Sequence, residues 1–124
     1  MFGDLAPIER KGLFVHTSPK GDFDTQQMID AYKEVFAKAE GLEHWVLFEH
    51  PHTSAGFTTS ALQELINNYR MAADKGCVGI MVGGSSIFKQ ILDNHIPADF
   101  PIPVNISDDE DSLKAYAEAL LQQR

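Results

Sequence analysis

The chain has 124 residues, 44% of them apolar and 23% charged, which suits one folded domain and excludes global disorder. Acidic residues number 18 and basic ones 10, so the net charge is -8. That balance excludes binding modes that rest on clustered Lys and Arg, namely the nucleic-acid backbone and anionic membrane surfaces, and leaves a neutral or cationic ligand or a protein partner.

Cys77 is the single cysteine, so no internal disulfide forms, and it opens an apolar run where a thiol behaves as a small apolar side chain. The first 20 residues lack a basic stretch followed by an apolar one. No apolar run approaches the roughly 20 residues of a membrane-spanning helix. A cytoplasmic protein without membrane insertion is the expectation.

Taken in chain order, residues 5–8 are a candidate edge strand, because Pro7 lacks the amide hydrogen that a central position uses. Lys11-Gly12 turns into a first apolar run over residues 12–17, which suggests an opening hairpin; residues 19–22 form a further turn. Asp24 and Gln27 have the spacing of a capping box. Met28, Ile29, Tyr32, Val35, Phe36 and Ala39 then recur at helical spacing, and Gly41 supplies the stop. Residues 44–48 are dense in aromatic and branched side chains over strand length, the mark of a buried central strand. A turn-rich segment, 49–60, follows it.

A second helix starts near Ser60 and puts Leu62, Leu65, Ile66, Tyr69, Ala72 and Ala73 on one face before ending at Lys75-Gly76. Residues 77–82 form the third apolar run. Gly83-Gly84-Ser85-Ser86 leads into a short helix with Ile87, Phe88, Ile91 and Leu92 as its inner face. After a loop over 96–100 comes the last run, 101–106, whose two prolines place it at a sheet edge. Residues 107–110 are an acid-rich, capped start to a final helix with Leu113, Tyr116, Ala117, Leu120 and Leu121 as its buried stripe. This regular alternation predicts an α/β domain over residues 1–124, with a mixed, mainly parallel sheet of four to five strands and four helices. Such sheets carry their sites at the carboxyl ends of the strands.

Three segments fall at those ends. Thr58, Thr59 and Ser60 precede an apolar helical stripe, where hydroxyls cap open amides, and the same amides suit an anion or an attached phosphate. Phe57 lies beside them in the loop as a candidate contact. In Glu49-His50-Pro51-His52 an extended backbone would turn both histidines to one side. Zinc needs three or four ligands, for which only Glu49, His16 or His44 are on offer, so a solvated polar loop comes first. Gly83-Gly84-Ser85-Ser86 lacks the lysine and length of a phosphate loop and reads as a tight turn with a serine cap. It is also close enough in a parallel sheet to share a shallow pocket with the Thr58–Ser60 turn. The acidic run 108–111 lacks the alternating spacing of a calcium loop.

Several of these segments together resemble a known family. They are Gly21-Asp22-Phe23-Asp24-Thr25, an apolar strand ending in Glu49, Gly56-Phe57-Thr58 with Ala61-Leu62, Val78-Gly79-Ile80-Met81-Val82-Gly83, and the Val104 to Asp108 passage. Over nearly its whole length the chain is similar to the SpoIIAA-like proteins, relatives of the STAS domains of anti-sigma-factor antagonists and sulfate transporters. The resemblance implies a mixed sheet with helices stacked along it and no enzymatic activity. It also implies a phosphorylated hydroxyl at the start of the second helix, onto which Thr59 or Ser60 falls; Thr58 stands where the family has an acidic residue.

The reading that follows is a non-enzymatic cytoplasmic regulatory or protein-binding module, with a protein partner or self-association and no cofactor. Its binding surface would be Phe57, Thr58, Thr59 and Ser60, with Glu49, His50, His52, Gly83, Gly84, Ser85 and Ser86 as secondary pocket residues. The alternative is a carrier or sensor of a small apolar or anionic ligand, with a cavity lined by Met28, Tyr32, Leu62, Ile66 and Tyr69. A metal-dependent hydrolase built on His50 and His52 ranks last.

Overall fold

Apolar side chains that alternate in strands and recur every three or four positions in helices must be buried on matching faces, and the fold follows from that matching. The computed structural model describes residues 4–5, 7–52, 55–84 and 86–123; the side chains of Asp4, Leu5, Phe57, Ser86, Ile87 and Phe88 lie outside its described part. The strands are β1 (Asp4–Leu5), β2 (Glu9–Lys11), β3 (Phe14–Thr17), β4 (Pro19–Lys20), β5 (Asp22–Phe23), β6 (Trp45–Glu49), β7 (Gly56–Phe57), β8 (Cys77–Gly83) and β9 (Val104–Ser107). The helices are α1 (Thr25–Ala39), α2 (Thr59–Asp74), α3 (Ser86–Asp93) and α4 (Glu110–Gln122).

Five strands form the main sheet in the order β2-β3-β6-β8-β9. All neighbours are parallel except the β2–β3 hairpin. Its two-residue turn passes Gly12 at φ 60, a left-handed value that glycine adopts without strain. The opening strand therefore sits at residues 9–11, not at 5–8. Leu5 belongs instead to the small β1–β4 pair, and a second small pair joins β5 to β7 in parallel. Strand β6 is central and buried throughout. Strand β9 is an edge, as its prolines required, but begins only at Val104. Pro101 and Pro103 stay outside the ladder they cannot donate to.

The pleat of the sheet sorts its side chains onto two faces. Val15, Trp45, Leu47, Ile80, Val82 and Ile106 pack with α1, α2 and Leu92 of α3. Val46, Phe48, Val78 and Met81 pack with Leu113 and Ala117 of α4. The alternation slips once. Trp45 pairs with Cys77 but Val46 pairs with Gly79, so Val78 is an extra residue in a bulge. A β-carbon on Gly79 would lie 2.5 Å from Leu120 Cδ1, and the bare glycine lets α4 close onto the sheet.

The caps are those the sequence encodes. Asp24 and Gln27 form the reciprocal capping box of α1, and Asp109 caps α4. Two inner-face expectations are corrected: Ile91 is 40% exposed and Tyr116 is 41% exposed. Short α3 turns Leu92 alone fully inward at that turn, and the buried stripe of α4 is limited to Leu113 and Ala117 with Leu120 and Leu121 at its margin.

Candidate functional site

Glu49 is the last residue of the central strand, where the odd-numbered positions 45, 47 and 49 face α1 and α2. Its neighbours in register are Thr17 on β3 and Val82 on β8. The strand therefore carries a carboxyl group into the core, and Glu49 is only 7% exposed. Ionised carboxylates tolerate such burial only when surrounded by donors. Three hydroxyls supply them. Thr17 Oγ1 donates to Oε2 at 2.9 Å and Tyr32 of α1 donates to Oε1 at 2.9 Å. Tyr69 of α2 donates to the same Oε1. The two tyrosine rings meet edge to face, with centroids 6.3 Å apart.

These bonds oppose desolvation and do not overcome it. Burial raises the affinity of Glu49 for a proton, the hydrogen bonds from Tyr69, Tyr32 and Thr17 lower it, and the net direction is upward. Burial first and the adjacent carboxylate second hold both tyrosines well above the usual phenol value, so each remains a donor. The result is a carboxyl group that is easily protonated, fixed between two phenols.

A cavity of about 40 Å³ opens beside this group. Its walls are apolar: Phe23, Met28, Val35, Leu65 and Val82 surround Tyr32, Tyr69 and Glu49, and Pro19 of β4, Gly56 of β7 and the loop residues Pro51 and Ala55 border it. This volume holds water-sized or slightly larger molecules, on the order of a tenth of a drug-sized pocket. Met28, Tyr32 and Tyr69 line it as the sequence suggested, whereas Leu62 and Ile66 do not. Leu65 and Tyr69 are four residues apart on one ridge of α2, and Leu62 and Ile66 occupy the next. Among the described residues, every buried side-chain nitrogen and oxygen has a hydrogen-bond partner.

The opposite face of the same strand ends carries a second polar group. His16 and Phe48 are register partners, and His50 continues the same side of β6. His50 stacks on Phe48 with centroids 4.6 Å apart and planes 9° from parallel, and His16 stacks on the pair at 5.6 and 5.2 Å. His16 Nδ1 lies 2.9 Å from His50 Nε2, and His50 Nδ1 lies 2.8 Å from Glu110 Oε1 on α4. The expected His50–His52 partnership gives way to this one. His50 spends both ring nitrogens on His16 and Glu110, and His52 lies past the end of β6, exposed. Among the described residues no group of three or more His, Cys, Asp or Glu side chains is arranged to hold a metal ion.

The remaining nominated residues are dispersed. Thr58 is the N-cap of α2, its Oγ1 accepting from the Ala61 amide at 3.1 Å. Thr59 and Ser60 are exposed in the first turn, and none of the three lines the cavity. Gly84 donates its amide to Ser107, and Gly83 lies against Glu110, whose Oε1 would be 3.1 Å from a β-carbon there. The shallow pocket expected between these two turns draws on residues outside the described part, and the described cavity lies at Glu49. Ser85 and the side chains of Ser86 and Phe57 lie outside the described residues. Cys77 is buried, donates to the Gly79 carbonyl at 3.2 Å, and has its thiol pushed up to about 11 by burial, so it is held as the unreactive thiol.

Thr17 and Glu110 were not singled out in the sequence as members of either group. Strand parity was the available signal for Thr17, which shares a face with Val15 and ends its strand as Glu49 does. No described helix is long and apolar enough to cross a membrane. No protein-family model matches the chain, and no curated protein is significantly similar to it.

Proposed function

We propose that the protein is a non-enzymatic small-molecule-binding module whose site is the cavity against Glu49. The observation that carries this reading is a desolvated carboxyl group forming the polar end of an otherwise apolar cavity, at the carboxyl end of the central parallel strand. A carboxylate offers about four lone-pair directions, and the three hydroxyls occupy three. The fourth is open to one donor. The ligand class is therefore a small, mainly apolar molecule bearing one N–H or O–H group. An anion is disfavoured by Glu49 itself and by the net charge of -8. The resemblance to SpoIIAA-like proteins and STAS domains suggests the use of such binding, a regulatory signal passed to a protein partner from the loop that borders the cavity.

Methionine methyl groups give a direct test. Met28 lines the cavity, Met81 is buried on the other face and Met71 is 44% exposed. Protein labelled with carbon-13 at these methyls is titrated with n-propylamine, n-propanol and propionate at neutral pH. The Met28 signal should shift saturably with the amine and the alcohol, with propionate inactive and Met71 and Met81 unmoved. A Met28 signal that shifts no more than Met71 with every probe would sink the reading.

A further inference from the structure

We propose that His16, His50 and Glu110 form a proton-operated latch that covers Phe48, closed while the two rings carry at most one positive charge and opened by a second. The inference rests on the ring geometry and not on a ligand in the cavity, although His50 also acts on Glu49 and lowers its affinity for a proton.

The bonding pattern fixes the count of protons. With both rings neutral, His50 donates from Nδ1 to Glu110 and accepts at Nε2 from His16 Nδ1, so each bond along the chain is made. Adding one proton leaves the chain intact. That proton joins a chain of bonds that ends on the Glu110 carboxylate. Adding a second proton places an N–H on both nitrogens of the 2.9 Å contact. Two donors face each other, two cations stack, and the His16–His50 bond is lost.

The backbone determines which part moves. The His50 amide donates to the Thr17 carbonyl at 2.8 Å and holds that residue to β3, while Glu110 retains it from α4. Among the described residues the His16 ring makes no ion pair and is held otherwise by ring contacts with Phe14 at 6.0 Å and Phe48 at 5.6 Å, so His16 is the one that swings outward. The part of Phe48 that His16 covers, in a residue only 3% exposed in the closed form, is then uncovered while His50 stays stacked on the ring. Glu9 and Lys11 of β2 also act on His16, with opposite signs, and Glu110 acts with Glu9. Burial first, and His50 second, hold His16 below the usual histidine range, which delays opening to acidic pH.

The test is a pH titration of the ring nitrogens of the histidine-labelled protein by nitrogen-15 NMR, with the Phe48 ring protons followed in parallel. The expected result is that the His16 and His50 signals move together in two steps, with the Phe48 shift confined to the second. In Glu110→Gln, a change at an exposed surface position, the His16 signal should titrate at lower pH, because Glu110 raises its affinity for a proton. Independent single-step titrations of the two rings would overturn the latch, as would a Glu110→Gln profile identical to that of the parent.

Discussion

At the scale of the residue, Glu49 and His16 pull stability in opposite directions as pH changes. Glu49 binds its proton more tightly folded than unfolded, so its contribution is complete below the ordinary carboxyl value of 4.5 and is lost as pH rises through the folded value. His16 binds its proton less tightly folded, so its contribution is complete above 6.5 and is lost as pH falls below that. Glu49→Gln isolates the first effect. Glutamine keeps an acceptor for Tyr32 and Tyr69 and can donate to Thr17, but has no proton to lose. Measured by urea unfolding, the stability of Glu49→Gln relative to the parent should rise with pH from 4.5 upward. The slope should be positive and at most about 1.4 kcal/mol per pH unit, the limit for one proton, until the folded carboxyl value is passed. A flat difference would show that the carboxyl group is not desolvated.

At the scale of the element, caps and glycines were plain in the sequence because their physics is local. Asp24 with Gln27, Gly41 and Gly76 each stand where a chain end must satisfy amides or turn left-handed. Gly76 has a second duty that no local pattern reveals. At φ 98 a β-carbon there would lie 2.2 Å from the Glu43 carbonyl oxygen, so the α2–β8 turn passes directly against the loop entering β6. Gly12 has φ 60 and nothing within 4 Å of its would-be β-carbon. Gly12→Ala should therefore cost about 1–2 kcal/mol from backbone conformation alone. Gly76→Ala should cost about 2–5 kcal/mol, because a clash with backbone adds to that term. Thermal unfolding of the two variants side by side measures the difference, and equal losses would refute the close approach. The bulge at Val78 was equally hidden, since an apolar run without polar interruption gives no sign of where its two faces change places.

At the scale of the whole molecule, the strand–helix alternation was legible and so was the burial of the central strand, because both depend on which side chains must leave water. Tyr32 and Tyr69 were legible as wall residues from helical spacing. Their convergence on Glu49 was not, since it joins residues 17 and 20 positions distant through two different helices. The histidine pair was read along the chain, His50 with His52, when the partner lay across the sheet at His16; sheet register decides this, and register is a property of the assembled fold. Both polar groups sit at the same end of the parallel strands, one on each face, with Glu49 and His50 adjacent in sequence. The measurement that bears most directly on the ligand site is an intermolecular NOE spectrum of the protein with n-propylamine. The expected cross-peaks join the amine's methylenes to the Met28 methyl and the Tyr69 ring; cross-peaks confined to exposed side chains such as Met71, or none at all, would contradict a binding cavity at Glu49.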